Sequence, residues 1–127
     1  MARLVVTPFI PKGSYPTLPL TADASDLAFV VAGTYTDGEG WANTGREILV
    51  VFNSGASPYT FTVSSVALLG RVGDITAYSL AAGEYAVVGP FDTKGWNQAD
   101  GMVYVVGSNA LVKFAVIQMP STIFQTI

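Results

Sequence analysis

From Leu27 onward, short apolar runs alternate with breaks rich in glycine, asparagine and aspartate. In YTFTVSS (59–65), Tyr59, Phe61 and Val63 fall on one parity, and Thr60, Thr62 and Ser64 on the other. A period of two predicts a half-buried strand. REILVVFN (46–53) is apolar without interruption from Ile48 to Phe52, as in a strand covered on both faces. LAFVVAG (27–33), ITAYSL (75–80), YAVVGPF (85–91), MVYVVG (102–107) and LVKFAVIQM (111–119) complete the set. Turns fall at NSGASP (53–58), at AAGE (81–84, hairpin type) and at SNA (108–110), and Gly89-Pro90 stops a strand. TYTDGEGWANTG (34–45) and DTKGWNQADG (92–101) read as long glycine-rich loops, and VALLGRVGD (66–74) as a loop or a short irregular segment. No 3.6-residue apolar repeat exceeds one turn. The pattern predicts seven or eight strands in one all-β domain, an antiparallel β-sandwich over residues 27–119. Jelly-roll and immunoglobulin-like orders both fit. The long loops and the N-terminal segment favour the jelly roll.

Residues 1–26 follow another rule. Pro8, Pro11, Pro16 and Pro19 interrupt Leu4, Val5, Val6, Phe9, Ile10, Tyr15 and Leu18. Proline at this density forbids a helix and disfavours a central strand, so an extended arm is expected. Its apolar residues must bury, either along their own domain or on a neighbouring subunit. The tail 120–127 carries Ile123, Phe124 and Ile127 after a proline. Both ends are therefore expected to bind partners.

Composition narrows the chemistry. Among 127 residues there is no cysteine and no histidine. Thiolate metal sites and disulfides are excluded, and so is any Ser-His-Asp or Cys-His nucleophile. Nine acids against six bases give a net charge of −3, too few cations for a nucleic-acid face. Charged residues are 12% of the chain, about half the usual share. So little charge on so apolar a chain favours surface shared with a partner. The start, MARLVVTPFIPKGSYPTLPL, does not fit a signal peptide, and no run reaches membrane-spanning length, so no membrane partner is expected.

The acids Asp37, Glu39, Asp74, Asp92 and Asp100 sit beside glycine or in loops. Turn chemistry is the first reading of them, ahead of calcium or carboxylate catalysis. Arg46-Glu47 and Arg71…Asp74 are candidate local ion pairs. Trp41 and Trp96 read as loop tryptophans that cap the core, anchor an interface or stack on sugar. A sugar site would draw on Trp41, Trp96, Asn97 and Asp100. No cofactor, metal or enzymatic activity is expected.

NTGREILVVFNSGAS, then GRVGDITAYSLAAGEYAVVGPF, then WNQADGMVYVV resembles a family of small structural proteins of tailed bacteriophages. The similarity covers about residues 43–107, mostly turn and strand positions, and leaves out the arm. It implies a capsid cement or decoration protein on the outer surface of the phage head. The implied partners are the major capsid protein and further copies of the chain, most simply a trimer. The partner-binding residues would then be Leu4, Val5, Val6, Phe9, Ile10, Tyr15, Leu18, Ile123, Phe124 and Ile127, with Trp41 and Trp96 as loop contacts and loops 34–45 and 92–101 at one end. Deleting residues 1–20 would abolish capsid binding and leave the β-domain folded. The alternative is a carbohydrate-binding module of a tail or fibre.

Overall fold

The computed structural model describes residues 3–11, 26–31, 33–70 and 73–119. They form an all-β sandwich of two sheets. The strands are β1 (Leu4–Val5), β2 (Glu39–Ala42), β3 (Glu47–Asn53), β4 (Tyr59–Ser64), β5 (Ile75–Leu80), β6 (Tyr85–Val88), β7 (Met102–Gly107) and β8 (Val112–Gln118). Sheet 1 has the order β1-β2-β7-β4-β5, and sheet 2 the order β6-β3-β8. All neighbours are antiparallel except β1 on β2.

Alternation sets the core. Leu49 and Val51 of β3, Phe61 and Val63 of β4, Val103 and Val105 of β7, and Val112, Phe114 and Val116 of β8 are all buried and meet between the sheets. Deleting one such side chain to alanine typically costs about 2–5 kcal/mol. The chain changes sheet at every connection from β2 to β8 except β4–β5. The AAGE turn is therefore not a hairpin within one sheet, as its composition suggested. It carries the chain from β5 in sheet 1 to β6 in sheet 2. Two main-chain bonds to the end of β3 hold it there: Gly83 N donates to Asn53 O at 2.9 Å, and Asn53 N to Glu84 O at 3.0 Å.

Asn-x-Gly occurs on both sides of β3, at 43–45 and 53–55. Each asparagine is buried and ties loops together at one end. Asn53 Nδ2 donates to the carbonyls of Ser57, Leu80 and Ala81, and its Oδ1 accepts from Gly55 N. Asn43 Nδ2 donates to Phe91 O and to Asn97 Oδ1, while Asn97 Nδ2 returns to Asn43 O. Such local bonding is why asparagine recurs in turns.

Two further expectations need correction, and for residues 3–11 one of the two open alternatives is the one observed. The 34–45 loop contains β2, whose Glu39 faces Val105 and whose Ala42 faces Met102. The turn at Tyr35–Asp37 thus lies at the opposite end of the sandwich from 92–101. Within 27–33, the described pairing is a single antiparallel bridge from Val30 to Phe114 of β8. Residues 3–11 lie along their own domain: Leu4 N and Val6 N donate to Gly38 O and Gly40 O. Phe9 N then donates to Val116 O, and Gln118 N to Phe9 O. This segment therefore covers one edge of each sheet, and Val6 joins the core. Four such bonds, at roughly 1 kcal/mol each, make it part of the fold. Deleting residues 1–20 removes those contacts as well as any contact with a partner.

Candidate interaction surface

The outer face of sheet 2 is built by the residues that alternate with its core positions. They are Ile48, Val50 and Phe52 of β3, Tyr85 and Val87 of β6, and Lys113, Ala115 and Ile117 of β8. Lys113 is the one charged residue of the eight; Val50 and Ala115 are buried within the chain, Ile48, Phe52, Lys113 and Ile117 are half-buried, and Tyr85 and Val87 are exposed. Phe52 stacks on Tyr85 at 4.3 Å between ring centroids, and Phe29 leans on both at 5.8 and 6.0 Å. Tyr85 stays 60% exposed and Val87 69%. Both stand on an edge strand with no charge or proline among its four residues, the usual blocks to edge pairing.

The outer face of sheet 1 is of another kind. Thr60, Thr62 and Ser64 alternate with the core residues of β4. On β7, the Arg3 guanidinium lies 3.9 Å over the Tyr104 ring. Tyr104 donates its hydroxyl to Asp100 at 2.5 Å. That bond holds the Asp100 carboxyl below its ordinary value and pushes the Tyr104 hydroxyl up.

The loop end holds a cleft of about 530 Å³ between residues 65–69 and 73 on one side and 94–96 on the other, with Val66, Leu68, Leu69, Lys94 and Trp96 in its walls. The two sides are joined by Val66 N donating to Gly95 O at 2.7 Å. Ser65 and Asp74 close the base of the first loop: Ser65 N and Oγ both donate to Asp74 Oδ1 at 2.7 Å. These two bonds hold the Asp74 carboxyl below its ordinary value.

The sequence-derived candidates are dispersed. Trp41 is not a loop contact: it lies in β2 and is fully buried. It packs edge-on to Phe91 at 5.6 Å, and Phe91 in turn meets Trp96 at 5.0 Å. Trp96 thus caps the core from the rim. The four residues of the sugar reading do not share a site, because Trp41 is in the core, Asn97 is bonded to Asn43, and Asp100 to Tyr104. Of the N-terminal residues, Val6 is buried, Leu4 and Phe9 are half-buried, and Val5 and Ile10 are exposed. Tyr15, Leu18, Ile123, Phe124 and Ile127 lie outside the described residues, as does Arg71.

The carboxylates do not assemble into a centre. No group of three or more possible metal ligands occurs among the described residues. Glu39 and Glu47 are buried in different sheets. Burial favours the neutral form of Glu47, yet its carboxyl is held below its ordinary value. Hydrogen bonds from Gln118 Nε2 (2.5 Å), from Thr44 N (2.7 Å) and Oγ1, and from Arg46 N override burial. The Arg46 side chain turns instead to the Met119 carbonyl, so Arg46 and Glu47 are not the expected ion pair.

The exposed pairs Leu68-Leu69 and Tyr85, Val87 were not singled out in the sequence. A signal existed for the second pair. In YAVV, the parity of Ala86 and Val88 points to the core, which leaves Tyr85 and Val87 outward beside the doubly apolar β3. Neither the family models nor the curated proteins nor the solved structures compared with the chain give a match.

Proposed function

We propose that this chain is a non-enzymatic structural subunit of a tailed-phage virion, a cement or decoration protein on the outer surface of the head. It docks on the major capsid protein through the outer face of sheet 2 and assembles with further copies, most simply as a trimer at a local threefold axis. The observation that carries the reading is the exposed margin of that face: Tyr85 and Val87 stand out on β6, which pairs only with β3 among the described residues, while Val50 and Ala115 are buried within the chain. A patch of that kind marks a protein-binding surface more often than a solvent face. The outer face of sheet 1, hydroxylated along β4, is then the one that meets solvent.

The fold we assign is a jelly roll. An immunoglobulin-like order keeps consecutive strands together as hairpins, including the last two. Here β7 and β8 lie in different sheets, and only β4–β5 stay together. The bridge from Val30 to Phe114 adds the segment before β2 as a fourth member beside β8. Strand orders of segment-β8-β3-β6 and β2-β7-β4-β5 are those of two interleaved Greek keys, which supports the jelly roll.

The test is co-sedimentation of purified protein with heads stripped of it. Saturable binding is expected, weakened at least about tenfold in Val87→Asp, a loss of about 1.4 kcal/mol. Binding unchanged in Val87→Asp would remove sheet 2 as the contact face.

A further inference from the structure

Three of the four edges of the two sheets are blunted. β1 is two residues long, with Arg3 before it. β5 shifts register against β4 between Phe61 and Val63, and its Ala77, at a φ of 49°, donates its N–H to Thr62 Oγ1. The outer side of β8 is taken by Phe9 and Val30, which share main-chain bonds with Phe114, Val116 and Gln118. β6 has none of these devices. It runs in unbroken register along β3, without charge or proline, and no described segment pairs with its other side.

The ladder fixes which groups face that open side. Asn53 N donates to Glu84 O, so Glu84, Ala86 and Val88 turn their main-chain groups to β3. Those of Tyr85 and Val87 point away from it, while their side chains stand exposed on the outer face. We propose that β6 pairs antiparallel with β6 of a second copy, about a twofold axis through Ala86. Tyr85 of each copy then lies opposite Val87 of the other, and every free N–H and C=O of the two residues finds a partner. An axis through Val87 would instead set Tyr85 against Gly89, where Pro90 ends the strand.

The side chains agree with this register. An aromatic ring meets a β-branched residue on the same face. Glu84 comes opposite Val88 and not another Glu84, and its carboxylate is turned back to accept from Ala81 N at 2.9 Å. No like charges are opposed. A second copy is the occupant because the strand is complementary to itself in hydrogen bonds, side chains and charge, as a twofold contact requires. The other described edges are blunted, so the contact closes as a dimer and does not grow. Two strands of four residues bury well under the roughly 1,200 Å² of a standard interface, so the dimer is weak and fills with concentration. It joins two copies of sheet 2 into one and does not depend on docking to a capsid.

Sedimentation velocity of the full chain up to about 1 mM tests it, with Val87→Pro and Val87→Lys as variants. Proline at 87 removes an N–H that β3 does not use, so the ladder survives while the open edge loses a donor. The wild type should show a monomer–dimer equilibrium that added salt does not weaken, since no ion pair holds it. Each variant should dimerise at least tenfold more weakly while its circular-dichroism spectrum stays that of the wild type. If Val87→Pro fails to fold, Val87→Lys carries the test alone. A wild type that is monomeric at the highest concentration overturns the proposal. So does a closed trimer with no dimer, or a dimer that either folded variant leaves intact.

Discussion

Two outer faces share one core in this sandwich and are chemically unlike. Sheet 2 alternates apolar residues inward with apolar residues outward: Leu49 and Val51 on one side of β3, and Ile48, Val50 and Phe52 on the other. In sheet 1, β4 alternates apolar with hydroxylated residues, so Phe61 and Val63 back onto Thr60, Thr62 and Ser64, and β7 turns Met102, Tyr104 and Val106 outward. Both sheets satisfy their backbone bonds by the same ladders, so the fold itself does not demand this asymmetry. Only the outward parity differs, and outward parity on a sandwich is free to answer to a partner. Under the proposed docking role, this difference makes sheet 2 the contact side.

The largest expected effect tests the shared core. Trp41→Ala removes a fully buried side chain beneath both faces and should cost about 3–5 kcal/mol, read from urea denaturation. A change under about 0.5 kcal/mol would return Trp41 to the surface role its loop-like sequence context suggested. Next in size is the apolar face. Combining Tyr85→Ala with Val87→Asp should lower head binding more than either alone while the urea midpoint moves little, since both side chains are more than half exposed. Equal losses of stability and binding would make that face a core surface rather than a contact.

Acid titration comes third and acts at the margin of sheet 2. Folding lowers the Glu47 carboxyl below its ordinary value of about 4.3. Its contribution to stability is therefore complete above that value and is lost as pH falls through the lowered one. The urea midpoint should be flat above about pH 5 and decline in the acid range. The decline should be shallower in Glu47→Gln. An identical slope in that variant would assign the acid loss to other carboxyls. The smallest effect is expected on sheet 1. Ser64→Lys should change stability by no more than about 0.5 kcal/mol and leave head binding intact. Loss of binding there would reverse the assignment of the two faces.

Much of the sandwich was readable from period and punctuation. The alternation of β4, the double-sided β3, the Gly-Pro stop and the runs of β7 and β8 all became strands near their expected bounds. β2 was not readable. Glu39, Gly40, Trp41 and Ala42 carry little strand propensity, and their conformation is imposed by pairing with β7 on one side and β1 on the other. That same misreading placed Trp41 in a loop. The AAGE turn was recognised as a turn, but its crossing between sheets depends on Asn53 at the end of β3, about thirty residues away, and no local pattern encodes that. The contact face was half legible: the apolar run at 48–52 announced coverage on both sides, while its continuation through Tyr85 and Val87 needs the β3–β6 register. Leu69 gave no signal, because a left-handed leucine is visible only in the backbone.

The most direct measurement of the proposed virion role is quantitative mass spectrometry of purified phage particles from the source of this chain, scored as copies per major capsid protein. A ratio near one, or a simple lattice fraction of it, is what a head-covering subunit requires. A handful of copies per particle, or none, would contradict the decoration role.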